Sequence, residues 1–293
     1  MSDREDRPSP GELARVACVL EATARKPGNV HRFRDFEGDA NYLDFVLSAG
    51  AIAGPLDRAP SIGVGRAVLE AVEATRRVVA SNTNLGMILL LAPLAAVEAP
   101  RPLREGVAEV LARTTVADAS LVYRAIRLAN PGGLGRSPEG EDVADEPTGT
   151  LLEVMRLAEG RDLVARQYAR AYTDVFDAHS ALRDALAAGR MLETAIVLAF
   201  LGLLANRPDT LIARKRGEPL AEEASRRASA VLASGWPDEP GSFAGFDAWL
   251  RLDGHARNPG ASADVIAAAL FVGLRDGTIP LPLRGAFSDP RWP

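Results

Sequence analysis

Cysteine is nearly missing from this 293-residue chain. Cys18 is the single one, so no disulfide can form within the chain and no thiolate metal cluster can be built. Histidine is scarce too: His31, His179 and His255 are widely separated, which argues against a histidine-only metal site. There is no basic excess. The formal net charge is −5, so nothing in the overall balance favours nucleic acid or an anionic membrane surface as a partner. A bilayer span needs about 20 apolar residues, and the apolar run Thr194 to Asn206 falls short. The charged start, Met1 to Pro10, has no apolar stretch of the kind a secretory leader carries, and the expected compartment is the cytoplasm. The familiar GxxxxGK[ST], HExxH and GxSxG motifs are absent, as are alternating β-branched runs and Asn-Gly hairpin turns.

What is present is helical periodicity. Apolar residues make up 47% and charged residues 25%, ordinary usage for a globular chain. Leu13, Val16, Ala17, Leu20 and Ala24 share one face, which predicts a helix over 11–24. Lys26-Pro27-Gly28 should end it, because proline disfavours helix at the residue before it. Similar spacing predicts helices over 42–55, 64–80, 102–114, 116–129, 151–158, 161–176, 181–205, 219–233 and 265–274. Leu85 to Val97 is apolar nearly all round, so it is expected to be buried on every side and kinked at Pro93; 181–205 is a second candidate central helix. Residues 131–149, rich in Gly, Pro and acids, read as a long surface loop, 234–246 as a second loop, and 1–10 as a flexible tail. The expected fold is all-α: a multi-helix bundle with buried central helices, in one domain spanning 1–293.

Four polar breaks interrupt the apolar helices. A helix N-terminus offers free N–H groups and a partial positive charge, which suits phosphate, but the same residue types are ordinary caps. In Ala24-Arg25-Lys26-Pro27-Gly28-Asn29-Val30-His31-Arg32, three cations and a histidine surround a Pro-Gly turn. Lys26 and Arg32 are candidate phosphate clamps, or the segment is a solvated turn. Ser81-Asn82-Thr83-Asn84-Leu85-Gly86 sets consecutive amide and hydroxyl side chains before a buried helix, where one cap would suffice. Arg207-Pro208-Asp209-Thr210 with Arg214, Lys215 and Arg216 offers a carboxylate for Mg²⁺ and cations for phosphate, or a cap before an exposed basic turn. In Asn258-Pro259-Gly260-Ala261-Ser262-Ala263-Asp264, small residues permit close backbone approach, and Asp264 opens an apolar helix.

Taken in order, these breaks resemble the triphosphoribosyl-dephospho-CoA synthase family. Glu21-Ala22-Thr23-Ala24-Arg25-Lys26-Pro27-Gly28-Asn29-Val30 resembles the family's E-x-x-x-x-K-P-G-x-V, and Asp44-Phe45 with Ser48 fits the stretch after it. Asn82-Thr83-Asn84-Leu85-Gly86 resembles N-T-H-K-G, Asp209-Thr210 the D-T before a basic turn, and Pro259-Gly260-Ala261-Ser262-Ala263-Asp264 resembles P-G-G-S-A-D. The likeness spans nearly the whole chain. It departs where Asn84-Leu85 stands for His-Lys, which removes a cation and a titratable group, and over 146–168; both departures mark a divergent branch.

The resemblance implies a pentosyltransferase that moves the triphosphoribosyl group of ATP onto the 2′-hydroxyl of 3′-dephospho-CoA and releases adenine. Reaction at an anomeric carbon passes through an oxocarbenium-like transition state that carboxylates stabilise, and a triphosphate calls for cations and Mg²⁺. By the same resemblance Glu21, Asp209 and Asp264 are candidates for general base or metal ligand, the metal falling to Asp209 and Asp264. Candidate substrate contacts are Lys26, Gly28, Asn29, Arg32, Asn82, Thr83, Asn84, Gly86, Thr210, Arg214 and Ser262. Two further readings keep the fold: a related nucleotide-dependent step on another cofactor precursor, such as a methanopterin-type pterin, and a non-catalytic protein that binds a phosphorylated cofactor.

Overall fold

The computed structural model describes residues 8–36, 40–130, 142–239, 241–285 and 287–288. Most of the expected 1–10 tail and the 131–141 part of the expected loop lie outside these residues. Among the described residues the chain is all-α, with sixteen helices and only two isolated bridges, His31 with Arg34 and Phe36 with Ala40.

The first helix, α1 (Pro10–Thr23), is capped by Ser9, whose hydroxyl accepts from the Glu12 N–H while Glu12 accepts from the Ser9 N–H. The same reciprocal cap, Asn41 with Asp44, opens α2 (Tyr42–Ala51). Short α3 (Ala53–Asp57) and α4 (Ala59–Ile62) lead into α5 (Val64–Arg76), α6 (Leu85–Ala95), α7 (Leu103–Ala112) and α8 (Val116–Ala129). After the loop come α9 (Leu151–Ala158), α10 (Leu163–Ala169), α11 (Thr173–Ala187) and α12 (Leu192–Asn206). The last four are α13 (Thr210–Arg216), α14 (Glu218–Ala233), α15 (Gly241–Leu250) and α16 (Gly260–Asp276).

The interior is built around α6, α12 and α16. Every residue of α6 except Gly86 is buried, as its all-round apolar character predicts. Helix α16 packs against α1, α6, α11 and α12, and one cluster of buried apolar side chains runs from Leu13 to Ile279. Among the described residues no single helix is long and apolar enough to cross a membrane.

Several expected elements differ. The 42–55 stretch is α2 and the first part of α3, with Ile52 between them. The 181–205 stretch is the end of α11 and most of α12, separated by a turn in which Gly189 takes φ +80°. The 161–176 stretch also breaks, at Ala171 and Tyr172, whose φ values are +46° and +64°. No glycine marks that break, so periodicity runs straight through it. The 234–246 segment contains the start of α15, concealed by its Gly and Pro content.

The proline inside α6 leaves a carbonyl without its helical donor. Pro93 has no N–H, so the carbonyl of Leu89, four residues earlier, loses its helical partner. The Tyr168 hydroxyl donates to that carbonyl at 2.6 Å, and the Tyr172 hydroxyl donates to the next one, Leu90, at 3.0 Å. Burial pushes both phenol pKa values up, which keeps the donors protonated. Tyr172 holds this place despite a left-handed backbone that bulky residues rarely adopt. Tyr168→Phe should therefore lower the unfolding free energy by about 1–2 kcal/mol in urea titrations. The loss should shrink in a Pro93→Ala background, where residue 93 recovers its N–H; equal losses in both backgrounds would refute this account.

Candidate active site

Helices α6 and α16 both begin at a cavity of about 550 Å³, within the range of roughly 300–1,000 Å³ usual for small-molecule sites. Its wall comes from segments distant in sequence: Glu21 on α1, Asn29 and Val30 after it, Ser81 to Gly86 at the entry to α6, and Asp162 before α10. The remainder includes Thr210, Arg214 and Lys215 of α13, then His255, Asn258 and Asp264 at and before the start of α16. The fold thus brings together nine of the expected site residues: Glu21, Asn29, Asn82, Thr83, Asn84, Gly86, Thr210, Arg214 and Asp264.

Asp264 lies half-buried near the start of α16, and among the described residues no hydrogen bond or ion pair engages its carboxylate. It rests against Gly86 so closely that a Cβ there would overlap the carboxylate. Burial, then the charges of Glu21, Asp209 and Asp162, push its pKa well above the usual carboxylate range, while Arg214 pulls the other way. Glu21 is buried nearby, its pKa raised by burial against the opposing pull of Lys26.

Asp209 has a different place. It is fully buried and does not line the cavity. One of its carboxylate oxygens accepts from the N–H groups of Leu211 and Ile212, at 2.9 and 3.1 Å, capping α13. The other accepts from the N–H and hydroxyl of Ser262, at 2.7 and 2.8 Å, in the first turn of α16. With both oxygens held by donors, Asp209 has no capacity left for a metal, and the expectation that it binds Mg²⁺ is corrected. Ser262 is likewise a structural partner rather than a cavity residue.

The basic loop after α1 is corrected as well. Lys26 is wholly buried; its ammonium pairs with the Glu21 carboxylate at 2.8 Å and donates to the Glu21 carbonyl and, at 3.4 Å, the Ala24 carbonyl. It closes the C-terminus of α1, where a cation complements the helix dipole. Arg32 grips Glu193 with two nitrogens, at 2.7 and 3.0 Å, and Arg25 grips the same carboxylate at 3.0 and 3.1 Å. Gly28, at φ +77°, donates to Asp247 and packs against Leu250 of α15. Lys26, Gly28 and Arg32 therefore sit outside the cavity with their charges and donors already matched.

At the entry to α6, the Asn82 side chain accepts from the Leu85 N–H at 3.2 Å, the Thr83 hydroxyl meets Ser48 at 2.6 Å, and Asn84 donates to Thr75 at 3.2 Å. These bonds fix the side chains that face the cavity. Thr210 accepts from the Leu163 N–H at 3.0 Å and ties α13 to α10. Arg214 lies 3.5 Å from Asp162, and Arg214, Lys215 and Arg76 give the wall a cationic side.

A family model described as ATP:dephospho-CoA triphosphoribosyl transferase matches residues 7–280. The chain belongs to that family. It is accordingly a transferase of a family whose substrates are ATP and dephospho-CoA. A solved structure from Archaeoglobus fulgidus, provisionally assigned as a triphosphoribosyl-dephospho-CoA synthase, shares 26% sequence identity and a TM-score of 0.63. The match covers 78% of this chain and 98% of that one. No curated protein matches the chain.

Several cavity residues had no signal of their own. Arg76 and Asp162 belong to ordinary amphipathic or capping patterns, and Phe36 and His255 lie outside the four polar breaks. They become site residues only through the packing of α5, α10, α13 and α16.

Gly86→Ala should displace the Asp264 carboxylate and lower transferase turnover by roughly 10²-fold. The urea midpoint should change little, since Ala favours helix; unchanged turnover would show that Gly86 does not position Asp264. A second prediction concerns acid. Burial works to raise the Glu193 pKa, but hydrogen bonds from Arg32 and Arg25 overcome it and hold the carboxyl at about 2, below its ordinary 4.5. The unfolded state then binds more protons between those values, so this stabilisation is complete above pH 4.5 and is lost as pH falls towards 2. Glu193→Gln should flatten the urea midpoint against pH in that window; an unaltered slope would count against the clamp.

Proposed function

We propose that the chain transfers the triphosphoribosyl group of ATP to the 2′-hydroxyl of 3′-dephospho-CoA and releases adenine, with Asp264 as general base. The observation that carries this is the unengaged Asp264 carboxylate held against Gly86, lining a cavity that Arg76, Arg214 and Lys215 also line. The acceptor oxygen forms a bond to the anomeric carbon as the carbon–nitrogen bond to adenine breaks. The hydroxyl proton passes to Asp264, and the electron pair of the broken bond leaves on the adenine nitrogen. A carboxylate with a raised pKa is a better base near neutral pH than an ordinary one, and its negative charge stabilises the oxocarbenium-like transition state. Arg214, Lys215 and Arg76 would bind the triphosphate, with Asn82, Thr83, Asn84 and Thr210 ordering the ribose and phosphates.

Among the described residues no group of three or more His, Cys, Asp or Glu side chains is placed to hold a metal ion. That fits the usual behaviour of Mg²⁺ with nucleotides, where one or two carboxylates and the phosphate oxygens suffice. Glu21, Asp162 and Asp264 are the carboxylates that line the cavity, and an ion held there would supply charge neutralisation on the triphosphate. All of these parts act within a single domain spanning 1–293.

The test is to incubate the protein with ATP, Mg²⁺ and dephospho-CoA and to quantify free adenine by chromatography. Adenine should appear only when both substrates are present. Asp264→Asn should lower kcat by about 10²–10⁴-fold with little change in the KM for ATP, and the acid limb of the wild-type pH profile should lie above the ordinary carboxylate range. Absence of adenine with the wild-type protein would sink the proposal.

A further inference from the structure

The polar side chains at the entry to α6 have partners within the protein, but Asn29 is incompletely satisfied. It is 5% exposed, its Nδ2 donates to the Oδ1 of Asn258, and its own Oδ1 is buried with no hydrogen-bond partner. The residue lines the cavity. A buried acceptor without a donor is unfavourable and calls for one from a ligand.

The two amides act as a unit. With the Asn29 Nδ2 on the Asn258 Oδ1, the pair presents one acceptor, the Asn29 Oδ1, and one donor, the Asn258 Nδ2. Turning both amides over exchanges these roles and keeps the count. One acceptor beside one donor matches an amino group beside an unprotonated ring nitrogen, which is the edge adenine presents. An aromatic surface adjoins it: Phe36 and His255 lie with ring centroids 3.9 Å apart and planes 30° apart. The Asn258 N–H donates to the His255 carbonyl at 3.2 Å, so the amide pair and the ring pair belong to one wall of the cavity. Aromatic faces of this kind suit a purine.

We infer that Asn29 and Asn258 read the amino edge of the adenine of ATP, with Phe36 and His255 as the surface on which the base lies. The inference rests on ATP being the donor substrate. Both substrates contain adenine; the amide pair lines the same cavity as Asp264, the carboxylate proposed to serve the bond made at the anomeric carbon of ATP, and the binding arms below separate the two adenines.

The experiment measures binding, without turnover, of ATP, of purine riboside triphosphate (which lacks the amino group) and of dephospho-CoA to the full chain by calorimetry. The wild-type protein should prefer ATP over the purine analogue by about tenfold, the worth of one hydrogen bond. Asn29→Leu should bind ATP about tenfold more weakly and lose the preference. Asn258→Leu, at a half-buried position, should do the same and keeps the test open if the first variant does not fold. A preference that survives both substitutions overturns the inference while leaving ATP as the donor. Weakened dephospho-CoA binding with ATP binding intact also overturns it, since the pair then serves the acceptor. Failure of the wild-type protein to bind ATP removes the donor assignment itself, and this inference with it.

Discussion

Two helices begin on one carboxylate. The oxygens of Asp209 take donors from the first turn of α13 and from the first turn of α16, and nothing else in the described chain links those two starts so directly. Each helix presents orphan N–H groups and a partial positive charge there, so an acidic side chain between them satisfies both at once. The rest of the site depends on the separation this sets. Helix α13 carries Arg214 and Lys215 to the cavity, and α16 carries Asp264 to it. Burial raises the Asp209 pKa against the pull of its four hydrogen bonds, and its charge in turn raises that of Asp264.

The distribution of cations follows a similar division of labour. Those next to α1 are consumed by the fold: Lys26 closes the helix and pairs with Glu21, and Arg25 and Arg32 share Glu193 at the start of α12. Burying a lone charge is far more costly than burying a matched one, so a cationic loop inside the protein must bring its acids with it. The cations that line the cavity are Arg76 of α5 and Arg214 and Lys215 of α13. Asn84 and Leu85, where the family has His-Lys, also fit this arrangement. Asn84 is buried and donates to Thr75, and Leu85 is buried apolar surface, so the entry to α6 here contributes polar positioning rather than charge.

Helix α6 serves both the site and the core. Its first turn must admit the Asp264 carboxylate, which only a residue without a side chain at Gly86 allows. Its later turns must stay buried on all sides despite Pro93, which Tyr168 of α10 makes possible by donating to the freed Leu89 carbonyl, with Tyr172 donating to the next one.

Much of the fold was legible in the sequence because helix formation leaves a local signature. The apolar stripe of α1 and the all-round apolar character of α6 are short-range patterns, and each appears where periodicity places it. The break at Ala171 and Tyr172 was not legible, because a left-handed backbone at a bulky residue is imposed by distant contacts and has no local code. The motifs likewise located the neighbourhood of the site but not the roles within it. Asp209 and Asp264 look alike in sequence, each an acid near the start of a helix. Their difference lies in what surrounds them: Asp209 meets four donors from two helices, and Asp264 meets a glycine and open space. The sequence by itself determined the helices, the family and the set of polar residues from which the site is drawn. Only the tertiary structure decided which of those residues are spent on holding the helices together and which remain free for a substrate, because hydrogen-bond capacity is settled by neighbours that are distant along the chain.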